Sequence, residues 1–223
     1  ERAENVVPRA TQLAGGIGLV YTGLTALWAV MLALAGMDTF DAVAHSMTTL
    51  ATGGYSTRTE SIGAFDSVAV ECIIITGMIV GSLPFAHYLA MVRGGWRSLL
   101  NDPQVRLFLI LAVGLVLLLI WHLMQTGLGF GQAVRQASFN GVSIMTGTGY
   151  VSANFSAWGG FATTILLIVM FIGGCGGSTT CGIKVFRLQV LASTAKVQIS
   201  RLLRPHAVVL AYYNKRPVSV EVM

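Results

Sequence analysis

Charged residues are scarce in this sequence: Asp, Glu, Lys and Arg make up only 10% of its 223 residues, whereas hydrophobic residues account for 54%. A soluble domain carries about 25% charged residues. This deficit, a mean hydropathy of +0.72 and apolar runs of membrane-spanning length exclude an ordinary soluble domain. Only helices or a closed barrel can span hydrocarbon, because backbone polar groups find no water there. The runs are too long and continuous for barrel strands, so we predict an all-α membrane protein.

Cysteines and catalytic motifs are also lacking. The three cysteines, Cys72, Cys175 and Cys181, lie in apolar segments and are too few for a disulfide framework. Structural zinc takes four ligands, and no His, Asp or Glu accompanies Cys175 and Cys181 in the sequence. The four histidines are scattered, and neither a catalytic triad nor a phosphate-binding loop is apparent. We therefore predict that the chain is not an enzyme and carries no cofactor.

Basic residues cluster at two places, first at Arg93, Arg97 and Arg106 and again from Lys184 onwards. Both clusters flank apolar spans, so the excess of positive charge on cytoplasmic loops explains them better than nucleic-acid binding does. We expect both clusters to be cytoplasmic and predict no nucleic-acid partner. The sequence begins at Glu1 rather than at a methionine, so we expect a piece of a longer protein.

The apolar stretches alternate with two segments of matching design. Four stretches are long enough to cross about 30 Å of hydrocarbon, and they cover residues 10–37, 72–92, 107–124 and 161–183. Short helices predicted at Phe40–Leu50 and Arg135–Met145 each precede a Gly-Tyr loop. Gly54-Tyr55 aligns with Gly149-Tyr150 at an offset of about 95 residues, which indicates a parallel internal repeat. The predicted units are a helix–loop–helix repeat (1–95), a cytoplasmic linker (96–106), a second repeat with an interrupted last helix (107–192) and a basic cytoplasmic segment (193–223).

The basic linker and tail place both Gly-Tyr loops on the outer side of the membrane. Five acidic residues of the first repeat fall on that side: Asp38, Asp41, Glu60, Asp66 and Glu71. An acidic vestibule would concentrate cations at a pore mouth. The alternative, that each acid is an ordinary solvated loop residue, is favoured for any single one of them.

The two Gly-Tyr loops have the composition of an alkali-cation filter. A ring of backbone carbonyls can replace the hydration shell of such an ion, and glycine tolerates the dihedral angles that aim carbonyls at one axis. The C-terminal end of a short helix adds attraction for a cation, and the aromatic residue would wedge the loop against neighbouring helices. One such loop is a weak signal, and ordinary extracellular turns are the alternative, but the repetition favours a K⁺ filter. The candidate residues are Thr52, Gly53, Gly54 and Tyr55 in the first loop and Gly147, Thr148, Gly149 and Tyr150 in the second.

The fourth apolar stretch is interrupted by glycine. Each glycine costs about 1 kcal/mol relative to alanine inside a helix, and irregular backbone at membrane depth persists only where it is buried in protein or lines a cavity. A loop beneath the filter is favoured over a close helix contact, because the Ser-Thr-Thr run has no lipid-facing use. The candidate gating loop comprises Gly173, Gly174, Cys175, Gly176, Gly177, Ser178, Thr179, Thr180, Cys181 and Gly182, with Lys184 just beneath it.

Five segments resemble the TrkH/TrkG/KtrB superfamily of bacterial K⁺ uptake proteins, and its TrkH branch in particular. They are AGMDTFDA at 35–42, ATGGYST at 51–57, SIG at 61–63, FIGGCGGST at 171–179 and GIKV at 182–185. The resemblance implies M1-P-M2 (helix–pore-loop–helix) repeats around one pore, similar to a K⁺ channel, of which this chain looks like the second and third of four. Thr180-Cys181 stands where the family usually has Gly-Gly.

The resemblance also implies function and partners. It implies K⁺ as the transported ion, held at the filter carbonyls, in a multi-pass protein of the bacterial inner membrane. The partners implied are the lipid bilayer, a second copy in a homodimer and a cytosolic, nucleotide-binding regulatory subunit of the TrkA kind. Two alternatives remain open: translocation of Na⁺ or of both ions, and a non-conducting truncated or assembly fragment. A small-solute carrier is disfavoured, because the four spans offer no acid or base at mid-depth.

Overall fold

The computed structural model describes residues 6–92, 95, 97–203, 212–213 and 216–217. Within them the chain is helical, as predicted, apart from one antiparallel pair of two-residue strands. The helices are α1 (Val6–Leu34), α2 (Thr39–Leu50), α3 (Val68–Gly81), α4 (Phe85–Val92), α5 (Arg97–Asn101), α6 (Pro103–Gln125), α7 (Phe130–Met145), α8 (Gly160–Val169) and α9 (Val185–Leu203). Two 3₁₀ turns cover Ser61–Phe65 and Phe155–Trp158, and the strands are β1 (Tyr212–Tyr213) and β2 (Arg216–Pro217). Arg93, Arg204 and Lys215 of the basic clusters lie outside the described residues.

Helix starts follow from capping residues in the sequence. The Asp38 side chain accepts a hydrogen bond from Phe40 N (3.2 Å) at the start of α2. The Asp102 side chain accepts one from Gln104 N (2.8 Å) at the start of α6, where Pro103 occupies the first turn. An N-terminal proline has no NH to leave unsatisfied, and a capping carboxylate satisfies one of the free NH groups.

Two helices in the described part of the chain are long and apolar enough to cross a membrane alone, Thr11–Leu34 and α6. The predicted span at 72–92 is wrong as one continuous helix, because α3 and α4 meet at an angle of 94°. Pro84 stands at the break, and proline both lacks an NH and disfavours helix in the preceding residue. The fourth stretch is broken as predicted, since α8 ends at Val169 and α9 begins at Val185.

Close packing places the first short helix, α2, against its neighbours. A Cβ on Gly77 of α3 would lie 2.6 Å from Thr49 Cγ2 of α2 and would also overlap the Trp28 indole of α1. Trp28 Nε1 donates to Ile73 O (2.9 Å), which fixes α1 against α3. The corresponding helix of the second half, α7, packs on α6 with Ala133, Ala137 and other buried residues. Each short helix therefore ends inside the protein, with its loop next to that of the other half.

Candidate ion pathway

The first Gly-Tyr loop follows directly from the C-terminal end of α2. Thr52 and Gly54 adopt left-handed backbone conformations, with φ of 50° and 67°. The NH groups of Gly53 and Gly54 both donate to Thr48 O, at 2.8 and 3.4 Å. The NH groups of this loop are therefore turned towards the helix that precedes it.

The second Gly-Tyr loop repeats this geometry after α7. Gly147 and Gly149 have φ of 71° and 84°, and the NH groups of Thr148 and Gly149 donate to Ser143 O at 3.0 and 3.2 Å. A backbone that alternates between left- and right-handed conformations directs successive NH groups to one side. We expect the carbonyls that precede each tyrosine to face the other side, which is the arrangement that a dehydrated cation requires.

A hydroxyl group in each short helix holds the carbonyl of the loop tyrosine. Thr48 Oγ1 donates to Tyr55 O (2.9 Å), and Ser143 Oγ donates to Tyr150 O (2.7 Å). Neither residue was a candidate from the sequence, although the offset of the repeat pairs the two hydroxyls with each other. These bonds fix the orientation of the last carbonyl of each loop.

A second pair of equivalent residues supports the chain just beyond each loop. Fully buried His45 contacts Asp41 O (2.7 Å) through Nδ1 and Ser56 Oγ (2.9 Å) through Nε2. Fully buried Asn140 likewise bonds to the carbonyl four residues earlier (2.9 Å) and to Ser152 Oγ (3.1 Å). The two loops are thus held by the same pattern of contacts built from different side chains.

The two loops lie against each other. A Cβ on Gly54 would be 2.8 Å from the carbonyl carbon of Thr148 and would overlap its oxygen. Further out, Gly63 N donates to Val151 O (3.1 Å), and Val151 N donates to Ser61 Oγ (3.2 Å). The candidate residues from the two halves of the sequence therefore lie in direct contact.

The two tyrosines have different surroundings. Tyr150 is 1% exposed, and its Oη lies 2.5 Å from Thr48 Oγ1 in the other half. It therefore wedges the second loop against α2, as the sequence predicted. Tyr55 is 80% exposed in this chain, so the same expectation is wrong for the first loop here.

The glycine-rich loop (Gly173–Gly182) lies next to the bases of both Gly-Tyr loops. Thr179 Oγ1 is 2.9 Å from Leu50 O at the end of α2 and 2.9 Å from Gly81 O at the end of α3. Cys181 is the nearest neighbour of Gly147, since a Cβ there would lie 3.6 Å from Cys181 Cβ. Hydrogen bonds of 2.9 Å join Gly173 N to Ile183 O and Ile183 N to Phe171 O at the two ends of the glycine-rich loop. The predicted loop is therefore present, and it reaches the positions at which the candidate filter begins.

The break between α3 and α4 receives the glycine-rich loop. Cys175 N donates to Ser82 O (3.0 Å), and Phe85 N donates to Gly177 O (3.1 Å). A Cβ on Gly174 would lie 2.7 Å from Ser82 O, so only glycine allows this approach. Backbone groups freed by one broken helix are thus satisfied by the other, as hydrocarbon requires.

Comparison with known proteins identifies the family of the chain. The model of the TrkH family, described as a cation transport protein, matches residues 1–223. The chain belongs to the TrkH family. Family membership and the apolar helices identify it as a multi-pass protein of the bacterial inner membrane.

Similar TrkH-family proteins are longer than this chain. It is 36% identical over 222 residues to the Trk system potassium uptake protein TrkI of Halomonas elongata, covering 99% of this chain and 45% of TrkI. It is 35% identical to TrkH of Escherichia coli K12, covering 90% of this chain and 42% of that protein. The crystal structure of the potassium transporter TrkH from Vibrio parahaemolyticus superposes with a TM-score of 0.87 at 34% identity, covering 93% of this chain and 45% of that one. The chain thus spans less than half the length of these relatives.

The acidic residues predicted to lie on the outer side of the membrane are mostly paired in this TrkH-family chain. Asp41 accepts hydrogen bonds from Thr57 Oγ1 (2.7 Å) and Arg58 Nη2 (2.5 Å), and these bonds lower the pKa of its carboxyl group. Arg135 bonds to both carboxylate oxygens of Glu71, at 2.9 and 3.0 Å, and to Asp66 at 2.8 Å. Three of the five acids therefore carry a basic partner, which favours structural roles over an acidic vestibule.

The ion pair between Arg135 and Glu71 joins the two halves, and its loss should destabilise the protein. The Glu71 side chain is only 4% exposed, so Arg135→Met leaves a buried carboxylate without its partner, at a cost on the order of 3 kcal/mol. We expect a lower thermal unfolding temperature for the purified full-length protein in detergent. The double variant Arg135→Met with Glu71→Gln should recover part of the loss, because the unpaired charge is removed. A double variant no more stable than the single one would show that the buried charge is not the cause.

Proposed function

We propose that this chain supplies two of the pore loops through which a K⁺ uptake protein passes its ion. The observation that carries the proposal is the duplicated loop geometry, in which the NH groups of both loops face their own helix. The carbonyls that precede each tyrosine are thereby left for a cation, whereas the tyrosine carbonyls accept hydrogen bonds from Thr48 and Ser143. The named potassium uptake function of TrkI and TrkH supports K⁺ as the ion. No enzymatic step is required, and K⁺ is the cargo rather than a cofactor.

The glycine-rich loop is proposed to gate this pathway. It contacts the bases of both Gly-Tyr loops through Thr179 and Cys181, so ions that leave the candidate filter meet it directly. Its hydrogen bonds to α2, α3 and the break after α3 join neutral groups, and each contributes only about 0.5–1.5 kcal/mol net, so a regulator can displace the loop at moderate cost. We also propose a homodimer and a cytosolic, nucleotide-binding regulatory subunit of the TrkA kind as partners, and the naming of the relatives as parts of a Trk system supports a partner subunit.

Complementation of a K⁺-uptake-deficient bacterial strain tests the function. We expect the full-length protein to restore growth at low K⁺, whereas the 223-residue chain alone should not, because two loops supply about half of a four-loop carbonyl ring. Rb⁺ and Na⁺ uptake measured in the same cells report the selectivity. A full-length protein that is inserted yet takes up no K⁺, or takes up Na⁺ equally well, would contradict the proposal.

A further inference from the structure

We propose that Ser178 and Thr180 form a binding site for a monovalent cation inside the glycine-rich loop, and that the Lys184 ammonium group occupies this site in the present conformation. The inference rests on the proposed function, since it assigns a competitor for K⁺ in the same pathway. It concerns a site separate from the Gly-Tyr loops, formed by the glycine-rich loop and by Lys184, the second residue after it.

Four neutral oxygens surround the Lys184 ammonium group. Its Nζ lies 3.0 Å from Thr180 Oγ1, 3.4 Å from Ser178 Oγ and 3.5 Å from Ser178 O, and it also contacts Thr180 O. An ammonium group has only three protons to donate. The four oxygens therefore outnumber the three protons of the ammonium group. A surplus of oxygens around one point is typical of a coordination site for a spherical ion.

The hydroxyl protons of this site are directed away from the ammonium group. Ser178 Oγ donates to Cys175 O (2.6 Å), so the hydrogen bond of 2.8 Å between the two hydroxyls takes its proton from Thr180 Oγ1. Gly174 N donates to Thr180 Oγ1 (2.9 Å), which satisfies one of its lone pairs. Both hydroxyls thus present lone pairs to Nζ, and the glycine-rich loop itself holds them in this orientation.

The described surroundings of the Lys184 ammonium group are oxygen dipoles. Among the residues that the structure describes, no carboxylate lies within ion-pair distance of Lys184. A partly buried lysine ordinarily requires an acidic partner. Carbonyl and hydroxyl oxygens are instead the ligands that replace the hydration shell of K⁺, and an ammonium group is a compact cation of similar size.

The position of the site explains why occupation by the lysine ammonium group, in place of K⁺, would affect transport. Thr179, between the two site residues, bonds to the end of α2 directly below the first Gly-Tyr loop. A positive charge fixed there repels a K⁺ ion that leaves the candidate filter and also occupies the next set of oxygens that it could use. Lys184 thereby acts as a tethered ion that K⁺ must displace before it can pass.

Crystals of the full-length protein grown in Tl⁺, an anomalously scattering analogue of K⁺, test the proposal. We expect wild type to have no Tl⁺ peak at the glycine-rich loop, whereas Lys184→Met should have one within coordination distance of Ser178 and Thr180. Adding Thr180→Val to Lys184→Met removes one oxygen and should weaken or abolish the peak. In flux assays, Lys184→Met should take up Rb⁺ several-fold faster than wild type.

The Tl⁺ peak is measured in a crystal and does not depend on transport activity. Its presence or absence therefore tests the cation site separately from the proposed K⁺ uptake function. A Lys184→Met structure whose glycine-rich loop holds no Tl⁺, whether the loop stays in place or rearranges, would overturn the cation site. A Tl⁺ peak beside Lys184 in the wild-type protein would show that the lysine ammonium group and the metal cation do not compete for the site. If the wild-type full-length protein takes up no K⁺, that result would contradict the proposed function rather than the cation site.

Discussion

We expect Gly54→Ala to remove most K⁺ transport by the full-length protein and to lower its K⁺/Na⁺ uptake ratio at least about tenfold. A side chain at φ of 67° costs about 1–2 kcal/mol on conformational grounds. The added Cβ would also lie 2.8 Å from the carbonyl carbon of Thr148. Because that carbonyl belongs to the second Gly-Tyr loop, the two loops must separate and a proposed ligand of the ion must move. Uptake of Rb⁺ and Na⁺, normalised to the amount of inserted protein, measures both effects.

The neighbouring glycine provides the control for this prediction. Gly53 has no positive φ, and a Cβ there meets its nearest atom, Tyr55 Cδ2, at an ordinary 3.6 Å. Gly53→Ala should therefore cause a clearly smaller loss than Gly54→Ala. Equal uptake ratios in the two variants at equal insertion would mean that the contact between the loops does not set selectivity.

Thr179→Val should increase ion flux and weaken its dependence on the proposed regulatory subunit. The substitution keeps the shape of the side chain but removes the hydroxyl group that lies 2.9 Å from both Leu50 O and Gly81 O. Loss of these contacts should destabilise the docked glycine-rich loop by about 1–2 kcal/mol, which raises the population of the open state by a factor of about 5–30. Flux with and without the regulatory subunit, in liposomes of known protein content, measures the change.

Thr179→Ser is the matched control, because it keeps the hydroxyl group and loses only a methyl group. Its flux should stay near that of wild type. If Thr179→Val is stably inserted yet conducts no faster than Thr179→Ser, the hydroxyl contact does not hold the proposed gate closed.

The sequence predicted those parts of the fold that depend on local chemistry. Glycines followed by tyrosine, repeated at a fixed offset after short helices, located both loops, and the structure gives Gly54, Gly147 and Gly149 the left-handed conformations that this interpretation needs. The four glycines among residues 173–177 similarly located the interruption of the fourth stretch, because so many glycines cannot be accommodated in a helix at low cost.

Features that depend on contacts between the two halves were not accessible in this way. Pro84 was visible in the sequence, but the 94° bend also requires the glycine-rich loop to satisfy the freed carbonyl of Ser82. Thr52 has a φ of 50°, which is unusual for a β-branched residue and which no sequence pattern indicated. The pairing of Arg135 with Glu71 joins residues far apart in the chain, so the outer acids looked free when considered one at a time.

The contacts of Tyr150 make the second Gly-Tyr loop depend on the first half of the chain. The contacts that hold the first Gly-Tyr loop at Thr48 and His45 lie within its own half, whereas Tyr150 is anchored 2.5 Å from Thr48 in the half that is synthesised earlier. Domains generally fold from the N-terminal end as the chain emerges. The first half can thus serve as the template on which the second loop matures, and a defect in α2 is inherited by both loops.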